Sequence, residues 1–336
     1  MKSYHVSYGG GLESLTLREH PIPEPGPGQV LVKVHANSFN YREIAILKGN
    51  YPLPVKPDVI AASDGSGEVI AIGTGVTRAK PGDRVMATLF PDWVDGPFAW
   101  EYAAQTGGSL DGMMTEFALL SEDAIVHIPP HLSYEEAAAL PCAGVTAWNA
   151  LMDGRPIKPG DTVLTLGSGG VSLFALQFAK LAGARVIATT SSEEKAKRLK
   201  ALGADEVVNY RNNPDWHLEV RAVTGGRGVD KVIEIGSDSF DKSLRSLAVE
   251  GQISFVGTVG AGEPQMSLNA LFRSMGSVRV VATGNRAHFL AMNKAITANS
   301  LRPVIDRVFS FADVPAAYKY FESGKYFGKV IVSQDI

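Results

Sequence analysis

One short stretch constrains this chain more than any other. It is Leu166-Gly167-Ser168-Gly169-Gly170-Val171-Ser172, which follows the apolar run Thr162–Leu166 and leads into the apolar helix pattern Val171–Leu181. A glycine loop between a strand and a helix is the setting that dinucleotide phosphates require. Gly167 permits the tight turn, and Gly169 leaves room for a pyrophosphate against the backbone. The helix that follows points free N–H groups and its positive dipole end at the phosphates. Ser172 stands where a third glycine is usual, and serine is small enough for close helix–strand packing there. Gly167, Ser168, Gly169, Gly170 and Val171 are therefore the expected phosphate cradle.

The loop lies inside a longer rhythm. Strand patterns at Arg185–Thr189, Glu206–Val208, Asp230–Ile235, Gln252–Val256 and Val278–Ala282 alternate with helix patterns at Glu193–Leu202, Asp215–Val223 and Ser239–Ala248. Six strands in such alternation predict a doubly wound parallel sheet. The first third reads differently, with short strands at Val30–Ala36, Gly67–Gly73 and Asp83–Thr88 bounded by glycine and proline, as in a small β-barrel. Residues 91–112 interrupt it with Trp93, Phe98, Trp100 and Tyr102, an aromatic excursion or a lid.

The second strand ends Ala188-Thr189-Thr190-Ser191-Ser192, with no carboxylate to bond an adenosine ribose. That permits a 2′-phosphate. Ser191, Lys195 and Tyr210 are the expected residues around it, and NADP(H) is favoured over NAD(H), with Glu193 and Glu194 weighing the other way. Ser191 also reads as a helix N-cap, with Glu194 completing a capping box.

Composition excludes several classes. The formal net charge is −3, so no basic excess points to a nucleic-acid backbone. The single cysteine, Cys142, cannot form an internal disulfide, and the seven histidines show no paired ligand spacing. The start shows no apolar h-region and no long apolar run follows, so no membrane span is expected and a cytoplasmic location is. Gly-x-Ser-x-Gly and Walker loops are absent, which opposes a hydrolase or nucleotidase.

Several ordered motifs then make the chain recognisable: Pro25-Gly26-Pro27-Gly28-Gln29-Val30, Asp64-Gly65-Ser66-Gly67-Glu68-Val69, Pro81-Gly82-Asp83-Arg84-Val85, Leu140-Pro141-Cys142-Ala143-Gly144-Val145-Thr146, the glycine loop, and Gly328-Lys329-Val330. Together they resemble the medium-chain dehydrogenase/reductase superfamily, in its alcohol-dehydrogenase-like and quinone-oxidoreductase-like branch, over essentially the whole chain. The resemblance implies a Rossmann domain, 126–286, inserted into a GroES-like β-barrel catalytic domain made of 1–125 and 287–336, with the active site between them.

It also implies that the positions of a catalytic zinc carry Asn40, Ser63 with Asp64 beside it, and Cys142. One thiol is too few for a zinc site, so no metal is expected. Asn40 and Tyr51 become the expected donors to a substrate oxygen. Thr146, Val256, Thr258 and Thr283 should line the nicotinamide, with Lys329 near the cofactor. A homodimer through the edge strand Val278–Ala282 is implied as well. The expected activity is zinc-independent hydride transfer between NADP(H) and a small-molecule carbonyl, enone or quinone. The alternative is an NADPH-binding protein with structural or regulatory duty and no significant turnover.

Overall fold

The computed structural model describes residues 1–259 and 265–335. The chain forms two compact units, one of residues 1–145 with 284–336 and one of residues 146–283.

The first unit begins with β1 (Lys2–Val6), β2 (Thr16–Glu19), β3 (Gln29–Ser38), α1 (Tyr41–Lys48), β4 (Val59–Ile60), β5 (Asp64–Ile72), β6 (Arg84–Ala87), β7 (Phe117–Ser121), β8 (Ile125–His127) and α2 (Tyr134–Ala138). The second holds most of α3 (Val145–Met152), then β9 (Thr162–Leu166), α4 (Gly170–Leu181), β10 (Arg185–Thr190), α5 (Glu193–Ala201), β11 (Glu206–Asn209), α6 (Trp216–Val223), β12 (Val229–Gly236), α7 (Phe240–Ser246), β13 (Leu247–Val259), α8 (Leu268–Ser274) and β14 (Ser277–Val280). The chain returns to the first unit with α9 (Arg286–Ala298), β15 (Ile305–Ser310), α10 (Val314–Glu322) and β16 (Lys329–Ser333).

In the second unit the order is β11-β10-β9-β12-β13-β14 and every described pairing is parallel. This is the doubly wound order that opens a crevice where the strand sequence reverses, at β9. All five residues of β9 are buried, as expected for a central parallel strand covered on both faces. Leu164, Ile187, Val208, Val232 and Ile253 pack with Trp216, Val220 and Leu244 to form one face's core. In the first unit, one sheet runs β15-β16-β3-β5-β6-β8, with β7 also on β3, and a smaller sheet runs β2-β1-β4. β16 pairs antiparallel with β3, so the chain's return completes the sheet that its start began.

Two details differ from the sequence expectation. The second unit begins near 146 rather than 126. β8 pairs with β6, and Arg302 bonds Glu136 at 2.6 Å, which ties residues 125–145 to the first unit. The edge strand β14 ends at Val280 rather than Ala282.

β12 carries an unusual buried group. Lys231 is fully buried and its Nζ donates to the carbonyls of Ala150 (3.0 Å) and Leu151 (3.4 Å) at the end of α3. Burial, with Arg279 and Arg155 nearby, pushes its pKa down to about 7. A base with a lowered folded pKa binds fewer protons folded than unfolded, so stability rises as pH climbs from about 7 towards the unfolded value of about 10.4. Thermal unfolding of wild type and Lys231→Met should show wild type gaining on the variant across that range. Parallel curves would contradict this assignment.

Candidate functional site

In the second unit the glycine loop is built for a ligand. Gly167 sits at φ +71°, where a side chain is strained. Its N–H donates to Thr189 O at 3.1 Å, which ties the turn to β10. Gly169 is the N-cap of α4 with extended backbone and no side-chain cap, and a Cβ built on it meets nothing within 4 Å. No side chain caps the first turn of α4, and the space beside Gly169 is open, as an anion site requires. Ser172 Oγ donates to Leu166 O at 2.5 Å, so it closes the helix on the strand as a third glycine would allow. Ser168 is buried, while Gly170 and Val171 are half-buried.

A cavity of about 330 Å³ opens beside this loop, lined by Gly167, Thr189, Tyr210, Trp216, Ile235, Asp238 and Ser239 among others. Buried Glu234 holds its rim, accepting from Ser239 Oγ at 2.7 Å and Gly236 N at 2.9 Å. Trp216 and Asp238 were not legible as site residues; they come from the ends of different elements with no motif to mark them. The residues and the cavity fit a dinucleotide. A larger cleft, about 380 Å³, runs along Tyr51–Val55 and Tyr8 in the first unit, but it offers no such cradle.

At the end of β10 one expectation is corrected. The N-cap of α5 is Ser192, whose Oγ accepts from Lys195 N at 3.2 Å, and not Ser191. β10 runs through Thr190, which shifts the frame by one residue. Ser191 is half-buried at the turn, and Tyr210 lines the cavity. Glu193 is drawn to the end of β11, where Asn209 Nδ2 donates to it at 2.6 Å. Thr146 is buried at the start of α3, and Val256 is half-buried on β13. Thr283 is held at φ +57° with its carbonyl bonded to Asn149 Nδ2 at 2.7 Å. None of these three lines the described cavity. Thr258 lies on β13 and its side chain falls outside the described residues.

The first unit gathers a second constellation. Asn40, the N-cap of α1, follows the end of β3. Ser63 and Asp64 open β5, where Ser38 pairs with Asp64. Ala62 just before them is held at φ +61°, a strained setting for a side chain. Its carbonyl accepts from Met113 N at 2.8 Å, and Gly107 packs so close that a Cβ there would lie 2.7 Å from Ala62 O. The resulting contacts join Asn40, Ser63, Asp64 and Cys142, as the resemblance implied. Asn40 Nδ2 donates to Ser63 Oγ (3.4 Å), Ser63 Oγ donates to Asp64 Oδ1 (2.9 Å), and Cys142 N donates to Asp64 Oδ2 (3.3 Å).

Two charged residues complete the set, Glu43, which the sequence did not mark, and Lys329, whose contacts it could not show. Glu43 accepts from Asn40 N at 2.7 Å, from Ser63 N at 3.2 Å and from Arg42 at 2.9 Å. Burial opposes the Arg42 charge, yet Tyr51 and Glu43 outweigh it and raise its pKa. Glu43 sits three residues after Asn40, so a capping-box reading could have found it. Lys329 is the other: its Nζ donates to Asn40 Oδ1 at 2.6 Å and Phe39 O at 2.7 Å, and lies 3.8 Å from Asp64. Tyr51 is tied elsewhere. Its hydroxyl accepts from Arg42 Nε (3.3 Å) and donates its proton to Gln105 Oε1 (2.5 Å).

This donor set does not fit zinc. Burial and the Asp64 charge push the Cys142 thiol up to about 12, and it is the one soft ligand in the set. Burial raises the Asp64 pKa too, with Lys329 opposing it. The remaining two positions are an amide and a hydroxyl. Among the described residues no group of three His, Cys, Asp or Glu could hold a metal.

Cys142 also touches the aromatic segment. Leu89, Phe90 and Trp93 form a small core with Leu53, Phe98, Tyr102 and Cys142 against it. The segment is pinned to the start of α9 by Arg286 N to Trp93 O at 3.0 Å, while Trp100 at its outer end is 78% exposed. The segment is an excursion anchored by its own aromatic rings.

Comparison with known proteins agrees with this architecture. The "Alcohol dehydrogenase GroES-like domain" family matches residues 26–130, and "Zinc-binding dehydrogenase" matches residues 170–298. A zinc-type alcohol dehydrogenase-like protein of Schizosaccharomyces pombe is 39% identical over 97% of this chain and 96% of its own. A chloroplastic quinone-oxidoreductase of Triphysaria versicolor is 33% identical over 97% and 95%. Two solved structures superpose closely. An NAD-dependent alcohol dehydrogenase has TM-score 0.89 and 34% identity over 99% of both chains. A mycobacterial protein complexed with NADPH has TM-score 0.82 and 30% identity, also over 99% of both chains. The chain belongs to the medium-chain dehydrogenase/reductase superfamily, in its alcohol-dehydrogenase and quinone-oxidoreductase-like branch. It is an oxidoreductase with a GroES-like unit and a Rossmann unit.

Proposed function

We propose that this chain is a zinc-independent, NADP(H)-dependent oxidoreductase acting on an electrophilic carbonyl, a conjugated enone or a quinone. The observation that carries the reading is the linked set Asn40–Ser63–Asp64–Lys329, which leaves the Asn40 amide as a donor at the positions that the resemblance assigns to a catalytic zinc. When bound, the nicotinamide supplies or takes the hydride. Asn40 donates to the substrate oxygen as charge builds there, the role of a preorganised donor in a dry site. Tyr51 orients Arg42 and Gln105 beneath it. Thr146, Val256, Thr258 and Thr283 are assigned to the nicotinamide, and the glycine loop to the phosphates. The aromatic wall at Cys142 favours flat, apolar acceptors.

NADP(H) is preferred because β10 ends in Thr189 and Thr190 and is followed by Ser191, with Lys195 in the next turn and no acid at the ribose position. Asp238 in the cavity and Glu193 beside β11 favour a second reading, NAD(H). Thermal-shift titration separates them, since a ligand of the folded state raises Tm. A larger shift with NADPH than with NADH is expected; the reverse selects NAD(H). A 340 nm assay with an enone, quinone and aldehyde panel tests turnover. Binding without any turnover would favour the structural or regulatory alternative.

Homodimerisation through β14 belongs to the same reading. Val280 on that edge strand is 72% exposed and Phe272 on α8 is 77% exposed, an uncovered apolar edge. Light scattering should report a dimer, with Val280→Asp monomeric; a monomeric wild type would refute it. A net charge of −3 supports no nucleic-acid partner. Among the described residues no helix is long and apolar enough to cross a membrane, and a cytoplasmic location completes the reading.

A further inference from the structure

Lys329 is 3% exposed, at the start of β16. An ammonium has three N–H donors and no acceptor. Here they face Phe39 O at 2.7 Å, Asn40 Oδ1 at 2.6 Å and Asp64 Oδ2 at 3.8 Å, all within the first unit. Two donors are hydrogen-bonded, the third turns to the Asp64 carboxylate at ion-pair distance, and burial leaves a phosphate no open approach to the ammonium. We propose that Lys329 positions and polarises the Asn40 amide for a substrate oxygen, instead of binding a cofactor phosphate. The proposal rests on the reading of Asn40 as that donor.

The chemistry of the ring supports it. A group that only donates can face only Oδ1, so Lys329 fixes which end of the Asn40 amide points where. Nδ2 must then face the other way, towards Ser63. The Ser63 hydroxyl has one proton, and its shorter contact, 2.9 Å to Asp64 Oδ1, takes it. Ser63 therefore accepts from Asn40, and Asp64 closes the ring against Lys329.

The two ends of the amide are held unequally. The contact at Oδ1 is short and charge-assisted, while the contact from Nδ2 to Ser63 is 3.4 Å, near the limit of a hydrogen bond. The acceptor end is locked and the donor end is free to turn to a better oxygen. Charge at Oδ1 draws electron density from the nitrogen and makes its N–H a stronger donor, the cooperative effect of linked hydrogen bonds. The bond to Phe39 O pins the backbone just before Asn40 as well.

The test uses full-length Lys329→Met, which keeps length and loses charge. Its kcat should fall roughly 10²-fold, the scale for losing a preorganised donor. NADPH affinity, read by fluorescence titration, should hold within about threefold, a change well under 1 kcal/mol. The double variant with Asn40→Ala should be no slower than Asn40→Ala alone, because the two act as one unit. Lys329→Arg, which keeps the charge, should recover part of kcat. Asn40→Asp retains the bond to Lys329 but has no N–H, and should be as slow as Asn40→Ala; this arm stands if Lys329→Met fails to fold. NADPH binding weakened tenfold or more with kcat unchanged would overturn the proposal, as would an active Asn40→Asp or multiplying effects in the double variant. If wild type turns over no acceptor, the functional reading fails on its own. A crystal structure of Lys329→Met then decides: a displaced Asn40 amide supports the positioning role, and an unmoved amide refutes it.

Discussion

Asn40→Ala should lower kcat by roughly 10²–10³-fold, the loss seen when one preorganised donor to a developing oxyanion is removed. The fold should survive. Asn40 is an N-cap, whose loss costs about 1 kcal/mol, and an acceptor for buried Lys329, whose loss costs about 1.5–3 kcal/mol more, while Phe39 O and Asp64 still face the ammonium. KM for the acceptor should change little if the amide binds the transition state more strongly than the ground state. Steady-state kinetics with one quinone and one enone, at saturating NADPH, read this directly. A tenfold rise in KM with kcat intact would mean that Asn40 only helps bind the substrate, and the donor role would fall.

Gly169→Val should abolish cofactor binding while leaving the apo-protein intact. Gly169 has φ −78° and ψ 176°, an extended conformation that valine adopts freely. Its missing side chain faces open space, since an added Cβ meets no protein atom within 4 Å. The branched carbons of valine fill the volume in which a pyrophosphate approaches the loop. The expected outcome is a Tm within a few degrees of wild type without ligand and no shift with NADPH, with affinity lost by at least roughly 100-fold, about 2.7 kcal/mol. Gly167→Val would be less informative, because φ +71° strains the fold itself. A Gly169→Val protein that binds NADPH normally would show that the dinucleotide does not cross this loop.

The parts of the structure that follow a local period were legible in the sequence. β9 spans Thr162–Leu166 as its apolar run predicts, and α4, β10, α5 and β12 lie within a residue or so of their patterns. The glycine loop was readable because turn, phosphate approach and helix packing each demand a small residue at a fixed offset. What was not legible depends on distance along the chain. Lys329 meets Asn40 across 289 residues, and no spacing encodes that contact. The resemblance placed Lys329 near the cofactor; its partners Asn40 and Asp64 could be read only from the structure. The N-cap at Ser192 was misplaced by one residue because two adjacent serines are equivalent until the end of β10 is known. The boundary near 146 was hidden for a related reason: residues 125–145 show no break in pattern, and only tertiary contacts assign them to the first unit.

The central claim is hydride transfer without a metal, with the Asn40–Lys329 array in place of a Lewis acid. The most direct measurement is NADPH oxidation at 340 nm, with an enone or quinone acceptor, on protein whose zinc content has been determined by elemental analysis. The account expects full turnover from protein with less than a few hundredths of a zinc per chain, unchanged by chelator or by added zinc. Activity that rises and falls in proportion to bound zinc would contradict it.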